Sequence, residues 1–188
     1  MHMTAIIPPR ALDRDRAPNR IGQLVIIFVL ILIFIVTAAR RIWELRIVAE
    51  QTSVMHTVGA LHSAIGIQVM ERVLRGGLEG VAAMEHANPM DYLDPERMPG
   101  NYQQLDGPVP AEQLTPRRWY FEPQQGILIY RVDNGDYLET ELPGPPRIRF
   151  QLQLRYDDAN GNGHYDAGID SLGGVGMVAL EPYRWLAP

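Results

Sequence analysis

Ile21-Gly-Gln-Leu-Val-Ile-Ile-Phe-Val-Leu-Ile-Leu-Ile-Phe-Ile-Val-Thr-Ala-Ala39 decides the architecture of this chain: nineteen residues with no charged side chain. At 1.5 Å per residue, about twenty apolar residues cross a hydrocarbon core of roughly 30 Å. A secretory signal has a shorter apolar region, about 7–15 residues, followed by a small-residue cleavage site. Here Ala38-Ala39 runs directly into Arg40-Arg41, a stop-transfer flank. The expectation is an uncleaved, single-pass transmembrane helix over 21–39. Arg10, Arg14, Arg16 and Arg20 precede it, against Arg40, Arg41 and Arg46 after it. The positive-inside rule thus favours a cytoplasmic N-terminus by one arginine. Residues 1–20, with Pro8-Pro9, Pro18 and alternating charges, read as a cytoplasmic disordered tail.

Downstream of the span, nothing breaks a helical pattern as far as Gly76-Gly77, where glycine can supply a left-handed cap. Residues 40–77 therefore extend the same helix, giving about 55 residues and roughly 80 Å. Val54, Val58, Leu61, Ile65, Val69 and Val73 recur at spacings of three and four, which places them on one stripe. Arg40–Glu44, Arg46–Glu50 and Glu71–Arg75 are spaced to pair across one turn on the exposed side. Such a stripe needs a partner: a second chain in a coiled coil, or this chain's own sheet, which the β-rich segment that follows favours. His56 and His62, six apart, do not share a helix face and read as ordinary helix residues.

Residues 78–116 are rich in Gly and Pro and read as a connecting loop region with a short helix near Leu78–His86. The period then changes to two. Arg118–Phe121 and Gly126–Val132 form a hairpin signal across Glu122-Pro-Gln-Gln-Gly126. Asn134-Gly135 predicts a type I′ turn into a strand at Tyr137–Leu142. Arg147–Tyr156 alternates Ile148, Phe150, Leu152, Leu154 and Tyr156 with polar residues, and Gly174–Trp185 can supply a last strand. Alternation of this kind predicts one buried and one wet face. The expected fold is α+β: a long N-terminal helix, transmembrane then amphipathic, packed on a four- to five-stranded antiparallel sheet over 117–188.

Composition narrows the function. There is no cysteine, which excludes disulfides, thiolate nucleophiles and Cys-type zinc sites. Residues 1–75 carry nine Arg against five acids, whereas 76–188 carry eight Arg against seventeen. The acidic distal part lacks the basic footprint that nucleic acid requires. No Ser-His-Asp spacing, phosphate loop or nucleophile elbow occurs. Gly173-Gly174-Val175-Gly176 lacks the following helix of a dinucleotide site and reads as the start of a strand. The expectation is a protein that is not an enzyme.

One segment carries metal chemistry. Asp158-Ala-Asn160-Gly-Asn162-Gly163-His164-Tyr165-Asp166-Ala-Gly-Ile-Asp170 follows the pattern D-x-[DN]-x-[DN]-G of a calcium loop. Asp158, Asn160 and Asn162 would offer side-chain oxygens, Gly163 the sharp turn, His164 its backbone carbonyl and Asp166 a further carboxylate. The last acid, Asp170, falls one place late and is Asp rather than Glu, and the neighbouring Asp157 could substitute. Hard oxygen donors favour Ca²⁺ over zinc or a redox metal. The competing interpretation is an Asn/Gly/Asp turn between strands, where these residues are favoured anyway. The expected affinity, on the order of 10⁻⁴ to 10⁻³ M, needs a calcium-rich compartment, and so a distal domain outside the cytoplasm.

A hydrophobic N-terminal helix continuing out of the membrane, then a loop region, then an antiparallel sheet resembles the pilins and pseudopilins of type IV pili and type II secretion systems. The resemblance covers the layout of residues 20–188. The family's cleavage motif is Gly, then Phe or Met, then Thr-Leu-x-Glu. Here the corresponding run is Gly22-Gln23-Leu24-Val25-Ile26-Ile27, with Ile27 in the place of the glutamate. What the resemblance implies is therefore an accessory pilin-like component, of the mannose-sensitive haemagglutinin pilus type or of a secretion machine. It implies an inner-membrane anchor, a periplasmic distal domain and other pilin-like subunits as partners. Calcium sites in β-region loops are a feature of pseudopilins. Two other readings remain: a membrane-anchored, calcium-stabilised binding or sensor module unrelated to pili, and a hydrolase using the acidic loop.

Overall fold

The computed structural model describes residues 20–188; the tail expected over 1–20 otherwise lies outside the described residues. Helix α1 runs from Arg20 to Gly76 without a proline. Its hydroxyl residues return their O–H groups to the preceding turn, as Thr37 does to the Ile33 carbonyl at 2.8 Å and Thr57 to that of Ser53 at 3.0 Å. The helix stops where expected: Gly77 takes φ +70° and donates its N–H to the Val73 carbonyl at 3.1 Å.

Compactness divides the chain at Trp43/Glu44. In the first unit α1 is the one described element, long and apolar enough to cross a membrane. Its large apolar side chains from Ile21 to Val36 are 45–76 % exposed, as lipid-facing groups would be.

The second unit, Glu44–Pro188, contains the rest of α1 packed on a sheet. The buried positions of the helix are Ile47, Glu50, Val54, Thr57, Leu61 and Ile65, a run of threes and fours. The expected stripe is thus displaced towards the start of the helix: Val54, Leu61 and Ile65 hold, Val58 and Val69 are half-buried, and Val73 is exposed. Each fully buried aliphatic side chain contributes about 1.5–3 kcal/mol. Near Val73 the neighbours are polar and local: Arg72 donates to the Gly80 carbonyl at 3.0 Å and lies 6.0 Å from the Tyr92 ring.

After α1 come a single helical turn, α2 (Glu79–Ala82), and seven strands: β1 (Tyr102–Gln104), β2 (Arg118–Glu122), β3 (Ile127–Arg131), β4 (Leu138–Thr140), β5 (Arg147–Asp157), β6 (Ser171–Ala179) and β7 (Tyr183–Trp185). The main sheet has the order β1-β2-β3-β5-β6, while β4 and β7 pair separately. Trp119 and Phe121 of β2, Leu128 and Tyr130 of β3, and Ile148, Phe150 and Leu152 of β5 face α1. Trp119 sits 4.8 Å from the Tyr130 ring and 6.1 Å from that of Phe150, at tilted angles that suit aromatic quadrupoles.

Four sequence expectations change. The segment 78–116 contains a strand, β1, and it pairs parallel to β2, so the sheet is mixed although mostly antiparallel. A parallel pair needs a long crossover, and Leu105–Arg117 supplies it, laying Leu105, Val109 and Leu114 against Tyr120, Ile127 and Ile129. That covering layer is the second change: the middle of the sheet is buried on both faces rather than one. Third, Asn134 has φ −90°, incompatible with a type I′ turn, and β4 leaves β3 to pair with β7. Gly135 is needed for closeness instead, since a Cβ there would lie 2.3 Å from Pro146 Cγ. Fourth, the expected last strand is two: β6 begins earlier, at Ser171, with an irregularity opposite Arg155/Tyr156, and β7 crosses to the small sheet.

Candidate functional site

Residues 158–170 connect β5 to β6 at the end of the main sheet. Tyr165 packs edge-on to Tyr156 with ring centroids 5.6 Å apart, which anchors the loop on its parent strand. The loop coils around the Asp158 carboxylate. Oδ1 accepts the N–H groups of Gly161 at 2.7 Å and Asn162 at 3.2 Å, and Oδ2 accepts that of Gly163 at 2.7 Å. These bonds, that from Gly163 above all, outweigh desolvation and hold the Asp158 carboxyl below the usual carboxylate range. A lowered value means that this clasp is present above the ordinary carboxylate pKa and is lost as pH falls through the lowered one.

The other expected ligands assemble around it. Asn160 Oδ1 accepts from Asn162 N at 3.1 Å, and Asn162 Oδ1 from His164 N at 2.8 Å. Both amides turn their N–H groups onto one oxygen, Asp166 Oδ2, at 2.7 and 2.6 Å. So the Asn160 and Asn162 amides gather on the half-buried Asp166, while the exposed Asp158 gathers the backbone of the same loop. His164 contributes backbone only, with its imidazole exposed. Asp170 is 8 % exposed, and its oxygens accept the N–H groups of Ala159 at 2.9 Å and Asp166 at 2.7 Å, which braces the loop from inside.

Among the described residues, no group of three or more His, Asp or Glu side chains converges as a metal cluster. The donor set is that of a hard cation in kind, with two amide oxygens and the Asp158 and Asp166 carboxylates on one short loop, while the amide oxygens are turned to backbone N–H groups and not towards Asp166. The two amide N–H groups converging on Asp166 Oδ2 occupy the role a cation would take there.

A second polar constellation is not legible from sequence as such. Glu50, expected to pair with Arg46 on the outside of α1, is 2 % exposed. Its Oε1 accepts from the Tyr130 hydroxyl at 3.1 Å and Asp133 N at 2.8 Å; its Oε2 accepts from Asn134 N at 3.2 Å and Asn134 Nδ2 at 2.6 Å. The carboxylate therefore fastens α1 to the segment between β3 and β4. It also accounts for the absence of the expected Asn-Gly hairpin, because the turn residues donate to the helix instead of closing on β3. Of the other expected helix pairs, Glu71–Arg75 is formed.

Compared with known proteins, the chain matches no family model, no curated protein and no solved structure. What stands is an architecture, pilin-like in general terms: a long apolar N-terminal helix whose later part lies on a mostly antiparallel sheet.

Proposed function

We propose that this chain is a single-pass inner-membrane protein acting as an accessory, pilin-like component of a type IV pilus or type II secretion machine. Its distal domain is periplasmic and its β5–β6 loop binds a structural calcium ion. The observation that carries the reading is the helix α1, which is exposed and apolar over Ile21–Val36 and buries a stripe from Ile47 to Ile65. Such a helix gives a membrane anchor and a domain core in one element. Ile27 favours the alternative, an extracytoplasmic calcium-stabilised module unrelated to pili, and an accessory role is the form of the pilin reading compatible with it.

In-membrane crosslinking of the full chain followed by purification separates these readings. Recovery of pilin-like subunits supports the first, and their absence from the crosslinked material overturns it. A reporter fused after Pro188, active only outside the cytoplasm, checks topology.

Calcium is tested separately. If the site has a Kd of about 0.1–1 mM, roughly 10 mM Ca²⁺ should stabilise the full chain in detergent by about 1.4–2.7 kcal/mol, because only the folded state assembles the ligands. For a domain of this size that is about 4–10 °C in Tm. D158A and D166A should each abolish the gain. A Tm unmoved by calcium or by chelator would remove the ion from the proposal.

A further inference from the structure

Asn-Gly occurs three times in the chain, at Asn134-Gly135, Asn160-Gly161 and Asn162-Gly163. This is the most reactive setting for an asparagine, because a glycine nitrogen reaches the preceding side-chain carbonyl carbon with no Cβ in the way. The fold treats the three pairs differently. Asn134 is half-buried, with its Nδ2 held by the buried Glu50 at 2.6 Å. Gly135 is enclosed as well, against Pro146, where a Cβ would stand 2.3 Å from Cγ. Asn160, Gly161, Asn162 and Gly163 are all exposed, and nothing lies within 4 Å of the place a Cβ would take on either glycine.

Around each exposed pair stand the groups that ring closure needs. The nucleophile is the glycine nitrogen, and its N–H is already given to a carboxylate: Gly161 to Asp158 Oδ1 and Gly163 to Asp158 Oδ2, each at 2.7 Å. That is the reach of a general base. The electrophile is the Asn side-chain carbonyl, whose oxygen accepts a backbone N–H: Asn160 Oδ1 from Asn162 at 3.1 Å, and Asn162 Oδ1 from His164 at 2.8 Å. A donor so placed takes up the charge that develops on oxygen as the ring closes. The two sets are not equal. Asp158 Oδ1 and the Asn162 N–H are shared, since they also bond one another at 3.2 Å, whereas Gly163 has Oδ2 as its acceptor and Asn162 Oδ1 the shorter bond. Asn162-Gly163 is therefore the better equipped pair.

We propose that the β5–β6 loop modifies itself by deamidation, at Asn162-Gly163 first and at Asn160-Gly161 more slowly, with Asp158 as the base. Asp158 takes the glycine N–H proton as that nitrogen forms a bond to the Asn Cγ. The tetrahedral oxyanion then collapses, the Cγ–Nδ2 bond breaks, and the amide leaves as ammonia with the proton that Asp158 had taken. Water opens the resulting succinimide at one or other carbonyl and gives aspartate or isoaspartate, with no change of oxidation state. Each event removes an N–H donor from Asp166 Oδ2 and adds a carboxylate to the loop. On the calcium reading above, it exchanges an amide for an acid among the proposed ligands.

The test is peptide mapping by mass spectrometry of the full chain, incubated in detergent and chelator at neutral pH. Trypsin puts Asn134 in the peptide 132–147 and the loop in 156–184, so one digest compares them, and fragmentation separates Asn160 from Asn162. The same incubation in guanidinium gives each pair its rate without structure. In the folded chain the loop should gain the mass of an amide-to-acid exchange about tenfold faster than in guanidinium, with Asn162 ahead of Asn160. Asn134 should react more slowly than its own unfolded reference. Asp158→Asn should bring the loop down to the reference rate and leave Asn134 unchanged. A loop no faster than its unfolded reference, Asn134 keeping pace with the loop, or an undiminished rate in Asp158→Asn would each overturn the proposal. The first two comparisons need no variant, and the chelator separates the result from that of the calcium test.

Discussion

Replacing Glu50 by alanine is expected to lower the unfolding free energy of the domain by about 3–5 kcal/mol, among the largest effects of any single change outside the aromatic core. Four donors converge on this carboxylate, from Tyr130, Asp133 and twice from Asn134. Truncation leaves these donors without their acceptor, the Tyr130 hydroxyl buried and the other three part-buried, and an unsatisfied buried donor costs about 1–3 kcal/mol. Glu50→Gln keeps the volume but sets an NH₂ against two of the donors, and should lose roughly half as much. Tyr130→Phe removes one bond and should cost about 1–1.5 kcal/mol. Thermal unfolding of the full chain in detergent reads all three; a Glu50→Ala variant within about 0.5 kcal/mol of wild type would refute the fastening role.

The same contact has a pH signature. Burial first, and then the Glu50 charge and hydrogen bond, push the Tyr130 hydroxyl well above its ordinary value of 10.0. The folded state therefore holds this proton more tightly than the unfolded chain. Its contribution is complete below pH 10 and declines as pH rises above it, because the unfolded chain ionises first. Wild type should lose stability between about pH 10 and 11 more steeply than Tyr130→Phe, and parallel curves would show that Tyr130 is not the group responsible.

Gly126→Ala is expected to cost about 2–4 kcal/mol. Gly126 ends the turn between β2 and β3 at φ +65°, where an alanine is strained by roughly 1–2 kcal/mol from the left-handed backbone alone. Space adds the rest: a Cβ there would stand 2.4 Å from the carbonyl oxygen of His86, which is backbone and cannot swing aside. His86 is itself pinned, at φ 56° with its N–H donated to the Leu152 carbonyl at 3.0 Å. Gly77 makes the control. It has φ +70° with nothing within 4 Å of the place an alanine methyl would take, so Gly77→Ala should cost only the backbone strain. Equal losses at the two positions would mean that the His86 approach carries no energy.

The elements read correctly from sequence are those that a local period defines. Ile148, Phe150 and Leu152 alternate with polar residues and are buried on β5, and α1 ends at its Gly76-Gly77 signal. The loop from Asp158 to Asp170 gathers its expected side chains because each oxygen bonds a backbone N–H within a few residues, so spacing alone positions them. Asp170 is harder to read, since bracing from inside and ligating at the rim use the same residue type at the same place.

What only the tertiary structure decided are the non-local pairings. Glu50 is spaced from Arg46 like any exposed helix pair, and nothing nearby signals that its partners lie eighty or more residues downstream. The later strands divide between two sheets, and the outer faces of β2 and β3 are buried under a crossover segment that carries no strand period of its own. By itself the sequence determined a long apolar-then-amphipathic helix, a strand-rich acidic domain and an oxygen-lined loop, because hydrophobic period and turn chemistry act over a few residues. The fold decided which carboxylates are buried and what they hold, because burial is set by whatever distant segment packs over them.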